Sequence, residues 1–216
     1  MIIKYIGHSC FKIQDKIDSE NINLVIDPFD DSVNLKMPTL ETNLVLISHD
    51  HHDHNNIKKI KGNPLIINSP GEYDTKGVMI EGIDSFHDNK NGDERGKNTI
   101  FRIEMNDLSI AHLGDLGHIL TAQHLDRLGI IDILLIPIGG IYTIDFKQAI
   151  EIINQIEPRI IIPMHYRIND KEGTQELDSL EKFTKELGLE VQEEEKLKIK
   201  KKELPIDEME LVVLKI

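Results

Sequence analysis

The 216-residue chain has one cysteine, no tryptophan and only three alanines. A lone cysteine, Cys10, rules out an intramolecular disulfide and makes a reducing cytoplasm the expected setting. So few alanines argue against an all-helical bundle. The 36 isoleucines point the same way, because β-branched side chains suit strands. No stretch of about 18 uncharged apolar residues is present, so no bilayer span is expected. The opening MIIKYIGHSCFKI has neither a basic start nor a long apolar run nor a small-residue cleavage site, so no export signal is read there. Positive charge is also short: 25 Lys and Arg stand against 38 Asp and Glu, a net charge of −13. An acidic chain repels phosphate backbones and anionic lipid. The expected partner is therefore a small molecule rather than nucleic acid or a membrane. Self-association into a homo-oligomer is left open.

Histidine is what the chain has in excess. Of ten, four fall within six residues, as His49, His51, His52 and His54. The hydrophobic pattern predicts strands at 2–6 and 9–14 (a hairpin about Gly7-His8), 22–27, 43–48, 64–68, 77–84, 98–105 and 108–113. It predicts strands again at 132–136, 159–162, 189–193, 196–202 and 210–216, the first three of these separated by helices. Helices are expected at 55–60, 122–128, 145–156 and 174–187, with Thr121 as an N-cap and Gly129 as a stop. Residues 29–42 read as a polar loop and 88–97 as a surface or active-site loop. No linker divides the chain, so one domain over 1–216 is expected.

The chemistry sits in His49-Asp50-His51-His52-Asp53-His54, a His-x-His-x-Asp-His pattern that follows a predicted strand. His49 and His51 alternate, so both rings face one side of an extended chain. Asp53 and His54 come after the turn and reach a second position. Such a loop serves two ions about 3.5–4 Å apart. Imidazole and carboxylate without thiolate suit Zn²⁺, with Mn²⁺ or Fe as alternatives. With ten His and 19 Asp in the chain, the pattern is expected by chance about 0.002 times. A merely solvated loop is thus a poor account of it. The remaining ligands must come from His87, His112, Asp115, His118, His124 or His165, most of which lie near predicted strand ends.

The ordered set His49-x-His51-x-Asp53-His54, His87, Gly114-Asp115 and Pro163-Met164-His165 resembles the metallo-β-lactamase superfamily over essentially the whole chain. Gly7-His8-Ser9, Gly114-Asp115-Leu116-Gly117-His118 and Ile138-Gly139-Gly140 are similar to its small cytoplasmic branch of ascorbate-6-phosphate lactonase-like proteins. The resemblance implies an α/β (α+β) fold, a four-layer αββα sandwich with a dinuclear centre at one edge. By resemblance His49, His51 and His87 hold one metal, Asp53, His54 and His165 the other, and Asp115 bridges them. The implied activity is a zinc-dependent hydrolase in which a hydroxide bridging two cations attacks a small ester, lactone or phosphoester, with Asp53 orienting it or taking its proton. The alternatives are a di-iron redox protein and a binding or regulatory module of the same fold. A His at position 51 disfavours the first, and the complete ligand set the second. His8, Asp27, Asp50, His112 and His118 are candidates to orient a ligand or touch substrate. His52 is expected to point away and His124 to lie on the surface. Lys90, Arg95 and Lys97, close to His87, offer recognition of an anionic substrate.

Overall fold

The computed structural model describes residues 1–168 and 176–216. The chain opens with β1 (Ile2–Gly7), β2 (Cys10–Ile17) and β3 (Glu20–Ile26), followed by β4 (Leu40–Glu41), β5 (Leu44–Leu46), β6 (Ile60–Lys61) and β7 (Leu65–Ile67). A second run gives β8 (Gly71–Thr75), β9 (Val78–Phe86), β10 (Lys97–Met105) and β11 (Leu108–His112). Strands then alternate with helices: α1 (Ala122–Leu128), β12 (Ile133–Pro137), α2 (Phe146–Ile156), β13 (Ile160–Met164) and α3 (Leu180–Leu187). The end of the chain adds β14 (Val191–Glu194), β15 (Leu197–Lys198) and β16 (Glu210–Leu214).

These strands make two facing sheets, in the orders β15-β1-β2-β3-β5-β7 and β14-β16-β13-β12-β11-β10-β9-β8. Strand β2 runs antiparallel to both β1 and β3, and β5 is parallel to β3, so β1, β3 and β5 share one direction. In the second sheet β10 is antiparallel to both β9 and β11, and β12 and β13 are parallel to β11. Hence β9, β11, β12 and β13 also share one direction. Loops that leave these strands emerge together at one edge of the sandwich, and that edge carries the chemistry.

The core between the sheets is apolar, with Ile3, Phe11, Leu24 and Leu44 on one side and Ile103, Ile110, Leu135 and Ile162 on the other. Each such side chain contributes about 1.5–3 kcal/mol when fully buried. The second sheet is covered on its other face too, by Ile152 and Ile153 of α2 and Phe183 of α3. Strands β12 and β13 are therefore buried on both faces, which is why they read as unbroken apolar runs. Both central helices have caps that the sequence supplies. Asp145 accepts from the backbone of Lys147 and Gln148, and Thr121 accepts from His124 N. The layer over the first sheet is thin. A 3-10 turn at Asp31–Val33 and the chain around it place Phe29, Val33, Leu35 and Met37 against Cys10 and Val25. The stretch 29–42, expected to be a polar loop, thus buries four large apolar side chains. No helix among the described residues is long and apolar enough to cross a membrane.

Several boundaries differ from expectation, each for a local reason. The expected helix at 55–60 is a 3-10 turn, Ile57–Lys59, leading into β6. Asn56 gives no cap there, because its amide donates to Phe29 O instead. Strand β8 is new; only a turn at Pro70-Gly71 is expected from the sequence. It is an edge strand with Glu72 and Asp74 exposed, and charge of that kind hides an edge strand from an apolar pattern. The expected strand 196–202 pairs only at Leu197–Lys198 and then becomes a 3-10 turn from which Lys201 Nζ reaches Asp132 Oδ2 at 2.8 Å. Helix α3 starts at Leu180 behind the Ser179 cap, not at 174. Backbone bonds from Asp178 N to Gly139 O and from Arg167 N to Asp178 O hold residue 178 out of the helix. Positions 174 and 175 of that expected helix lie outside the described residues.

Candidate metal centre

Every residue of the centre follows the end of a co-directed strand. His8 sits in the turn after β1, Asp27 directly after β3, and His49, His51, Asp53 and His54 in the loop after β5. From the second sheet, His87 follows β9, Asp115 follows β11 and His165 directly follows β13. The loop after β5 is folded back on itself by His51 O, which accepts from the backbone N–H of His54 (2.9 Å) and Asn55 (3.1 Å). This turn brings His54 under His49, their ring centres 4.2 Å apart. Gly139, in the turn after β12, lets the chain approach His165, since a Cβ there would lie 2.1 Å from His165 O. The close backbone approach at this diglycine is thus to a candidate ligand's own backbone.

Three groups of donor atoms result, each with all its atoms within 4.8 Å of one another: His49, His51 and His87; His49, His54 and Asp115; and His8, His54 and His165. Asp115 Oδ2 lies among them, 3.2 Å from His54 Nε2, 3.4 Å from His87 Nε2 and 3.2 Å from His165 Nε2. Asp53 Oδ2 is 3.3 Å from His8 Nε2 and 3.9 Å from His54 Nε2.

Asp27 orients His54. Its Oδ2 accepts from His54 Nδ1 at 3.0 Å and from Ser48 Oγ at 2.6 Å, and its Oδ1 accepts from Ser48 N at 2.7 Å. A carboxylate only accepts, so the His54 proton is held on Nδ1 and Nε2 is turned toward the centre. Burial pulls the His54 pKa down, but Asp115 and Asp27 outweigh it and hold it well above the ordinary histidine value. Burial pushes Asp115 up, and the charges of His165 and His54 outweigh it, so its carboxyl titrates well below the usual range. His49 falls to about 3, chiefly by burial and then by the charge of His54. His8 falls to about 4, by burial and then by His165. The uncharged His8 and His49 and the ionised Asp115 are in the states that a divalent cation requires of its ligands, and His54 would give up its Nε2 proton on binding one. His49 Nε2, His87 Nδ1 and His165 Nδ1 are buried and have no hydrogen-bond partner among the described residues. An unpartnered buried nitrogen is costly, and a cation at His49 Nε2 removes that cost. The donor set fits a metal centre of imidazole and carboxylate type.

A model described as beta-lactamase superfamily domain matches residues 2–165. The chain belongs to the metallo-β-lactamase superfamily. Its place there is among the metal-dependent hydrolases. It is 31% identical over 190 residues to a UPF0173 metal-dependent hydrolase of Thermoplasma acidophilum, covering 76% of this chain and 82% of the relative. It is 32% identical over 209 residues to a UPF0173 protein of Pyrococcus abyssi, covering 87% and 90%. Among solved structures, a Thermotoga maritima protein assigned as a zinc-dependent hydrolase of the superfamily superposes with a TM-score of 0.79 and 33% identity, over 99% of this chain and 97% of that one.

Other candidates in this superfamily member lie elsewhere. His112 Nδ1 accepts from Gly114 N (3.1 Å) and its Nε2 donates to Ser9 O (2.9 Å), so it ties two loops of the centre together from behind. His118 accepts from Phe86 N and donates to Ile119 O, a purely structural pairing. Asp50 is exposed and accepts from Asn55 Nδ2 at 2.5 Å rather than from an imidazole. His52 is exposed beside Asp30 and Ser32, and His124 caps α1 and donates to Asp84 O. The sequence reading missed Ser48, which bonds Asp27 and His49 Nδ1, and Ser9, whose Oγ donates to Asp115 Oδ1 at 3.3 Å. It also missed Asn98, whose Oδ1 accepts from Asp115 N at 2.9 Å. Adjacency to His8 and His49 is the one signal the serines give. Asn98 gives none, being a buried amide at the start of an apolar strand.

The centre opens into a cavity of about 430 Å³, which Arg95, Tyr142, Leu177, Ser32 and Val33 line along with His51, Asp53 and Asp115. That is the size range of a small-molecule site. Arg95 lies 4.9 Å over the Tyr142 ring and Nη2 donates to Ile141 O. Its loop is shaped by Asp88, whose carboxylate accepts from the backbone N–H of Lys90, Gly92, Glu94 and Arg95. Lys90 is paired with Glu94 instead, and Lys97 does not line the cavity.

Proposed function

We propose that this metal-dependent hydrolase carries a dinuclear centre, occupied by zinc, and cleaves a small ester, lactone or phosphoester that bears a negative charge. The observation that carries this reading is the position of Asp115 Oδ2, within 3.2–3.4 Å of His87 on one side and of His54 and His165 on the other. One carboxylate shared by two histidine groups is the arrangement of a two-ion site. His49, His51 and His87 would hold one ion, Asp53, His54 and His165 the other. Two bound cations supply activation of water and polarisation of the bond under attack. Asp53, part-exposed to the cavity, orients the attacking water and takes its proton on a carboxylate oxygen. Arg95, preset against Tyr142, takes the anionic part of the substrate. The single cysteine is buried and free, which fits a cytoplasmic setting.

The test is metal content per chain after purification without chelator, on the wild type and on His51→Ala and Asp115→Ala. Two zinc ions, reduced in both variants, are expected; two irons or none would overturn the reading. For the substrate, Arg95→Gln should raise KM on phosphorylated or carboxylated esters and leave neutral esters unchanged. Equal loss on both would remove Arg95 from substrate recognition.

A further inference from the structure

His8 has no place in the ligand pattern of the loop after β5, yet it is built into the centre. It is almost fully buried and sits in the left-handed region at φ 55°, directly after Gly7 at φ 125°. A side chain at Gly7 would be strained at that φ, and its Cβ would displace Leu35 Cδ1, 2.6 Å away. A non-glycine residue in this region is strained and persists only where its surroundings over-determine it. Here the His8 carbonyl accepts from Tyr5 Oη at 2.7 Å and from His165 N at 2.8 Å. The second of these bonds ties the first sheet's turn to a candidate ligand of the second sheet. What the strained turn achieves is the aim of the ring. His8 Nε2 lies 3.2 Å from His54 Nε2 and 3.3 Å from Asp53 Oδ2, and its ring centre is 4.3 Å from that of His165.

These separations have a chemical meaning. Ligands bound tetrahedrally at 2.0–2.1 Å stand roughly 3.3–3.4 Å from one another. The contacts of His8 with His54 and Asp53, and those of Asp115 with His54 and His165, run from 3.2 to 3.3 Å. A hydrogen bond from His8 to Asp53 would account for one of them. It would not account for a third imidazole, His165, with its donor atom in the same group. Nor would it account for His54 Nε2, which the Asp27 bond to its Nδ1 holds toward His8 at 3.2 Å.

We propose that His8 is a metal ligand, completing a His8, His54, His165 group at the second ion position alongside Asp53 and Asp115. This rests on the two-ion reading above. It makes the second position richer in ligands than the first, whose His51 is exposed, so the second ion is the more tightly held.

The experiment uses cobalt-loaded protein, with affinities from titration against a competing chelator and the visible cobalt spectrum as a second readout. His8→Asn is the variant of choice, since Asn tolerates the left-handed backbone; His8→Ala is its companion, and circular dichroism checks that both fold. The expected result is two ions in the wild type, with the tighter one weakened in His8→Asn by more than about 100-fold and its cobalt bands altered. Loss of a partner that merely orients a ligand costs roughly 10–100-fold. A smaller loss with an unchanged spectrum therefore assigns His8 to hydrogen bonding with Asp53 and overturns the proposal, while leaving the two-ion reading standing. If the wild type binds one ion only, the two-ion reading fails separately. His8 then still stands if His8→Asn releases that ion, and falls if it does not.

Discussion

Replacing Asp27 by Asn tests whether the centre depends on the direction in which His54 points. Asn keeps the volume, and it tolerates the left-handed backbone that Asp27 adopts at φ 45°. Its carbonyl can still accept from Ser48 N, as Asp27 Oδ1 does at 2.7 Å. Its amide NH₂, however, replaces the oxygen that receives Ser48 Oγ and His54 Nδ1 at 2.6 and 3.0 Å. The serine hydroxyl can turn and become the acceptor. His54 can relieve the clash only by moving its proton to Nε2, the atom that faces Asp115, and a protonated nitrogen has no lone pair to give. Loss of one charged hydrogen bond costs about 1.5–3 kcal/mol. The metal-free variant should therefore melt lower but remain folded, because a typical domain has about 5–15 kcal/mol to lose. Metal affinity should fall about 10–100-fold, equivalent to about 1.4–2.8 kcal/mol. Chelator competition on the loaded protein and thermal melts on the stripped protein measure the two losses separately. Asp50→Ala is the control, an exposed carboxylate of the same loop that accepts from Asn55, and should change stability by no more than about 0.5 kcal/mol. A folded Asp27→Asn protein that binds metal with wild-type affinity would refute the reasoning.

Three further outcomes follow from features outside the ligand set. Asp88→Asn should free the loop that Asp88 gathers through four backbone N–H groups, read as faster amide exchange at Gly92, Glu94 and Arg95. Those bonds hold the Asp88 carboxyl well below the usual range, so its folded pKa lies under its unfolded one. Its contribution is complete above about pH 4 and fades as the pH falls further, and exchange in the loop should rise in that direction only. Gly139→Ala places a methyl group where His165 O stands 2.1 Å away, and should cost about 1–3 kcal/mol in the melt and displace His165 enough to lower metal content. Burial, reinforced by Asp27, pushes the Cys10 thiol well up, so Cys10 should resist Ellman's reagent in the native protein and react once the chain is unfolded.

The parts of the fold legible in the sequence are those whose pattern follows from burial alone. Strands β11, β12 and β13 are covered on both faces and read as apolar runs; the helical spacing of Phe146, Ala149, Ile150, Ile153 and Ile156 marks α2, of which Ala149 and Ile153 are buried together with Ile152. What was hidden depends on contacts distant in sequence. Strand β8 exists because β9 is beside it, and the apolar residues of 29–42 are buried because the first sheet needs a cover. The loop His49–His54 announced itself by composition, and Asp115 and His165 by their position after strands. His8 and Asp27 carry the same chemistry with weaker signals. Their roles depend on backbone in the left-handed region and on partners some 27 and 46 residues away, none of which a local pattern encodes. His112 and His118 look equivalent to the candidate ligands in sequence, but each ring spends both nitrogens on backbone groups.

The candidate ligands come from both sheets: His49, His51, Asp53 and His54 hang from the first, His87, Asp115 and His165 from the second. A bound ion would therefore also be a stitch across this edge of the sandwich. A ligand present at about 100 times its dissociation constant adds about 2.7 kcal/mol to the folded state. Stripped of metal, the sheets remain joined at this edge by polar bonds, from His165 N to His8 O, Thr99 N to Ser48 O, His112 Nε2 to Ser9 O and Ser9 Oγ to Asp115 Oδ1. The lifetime of the protein in a cell then follows the supply of its ion. A metal-starved cell would then hold an enzyme that is less stable, and more open to proteolysis, as well as inactive.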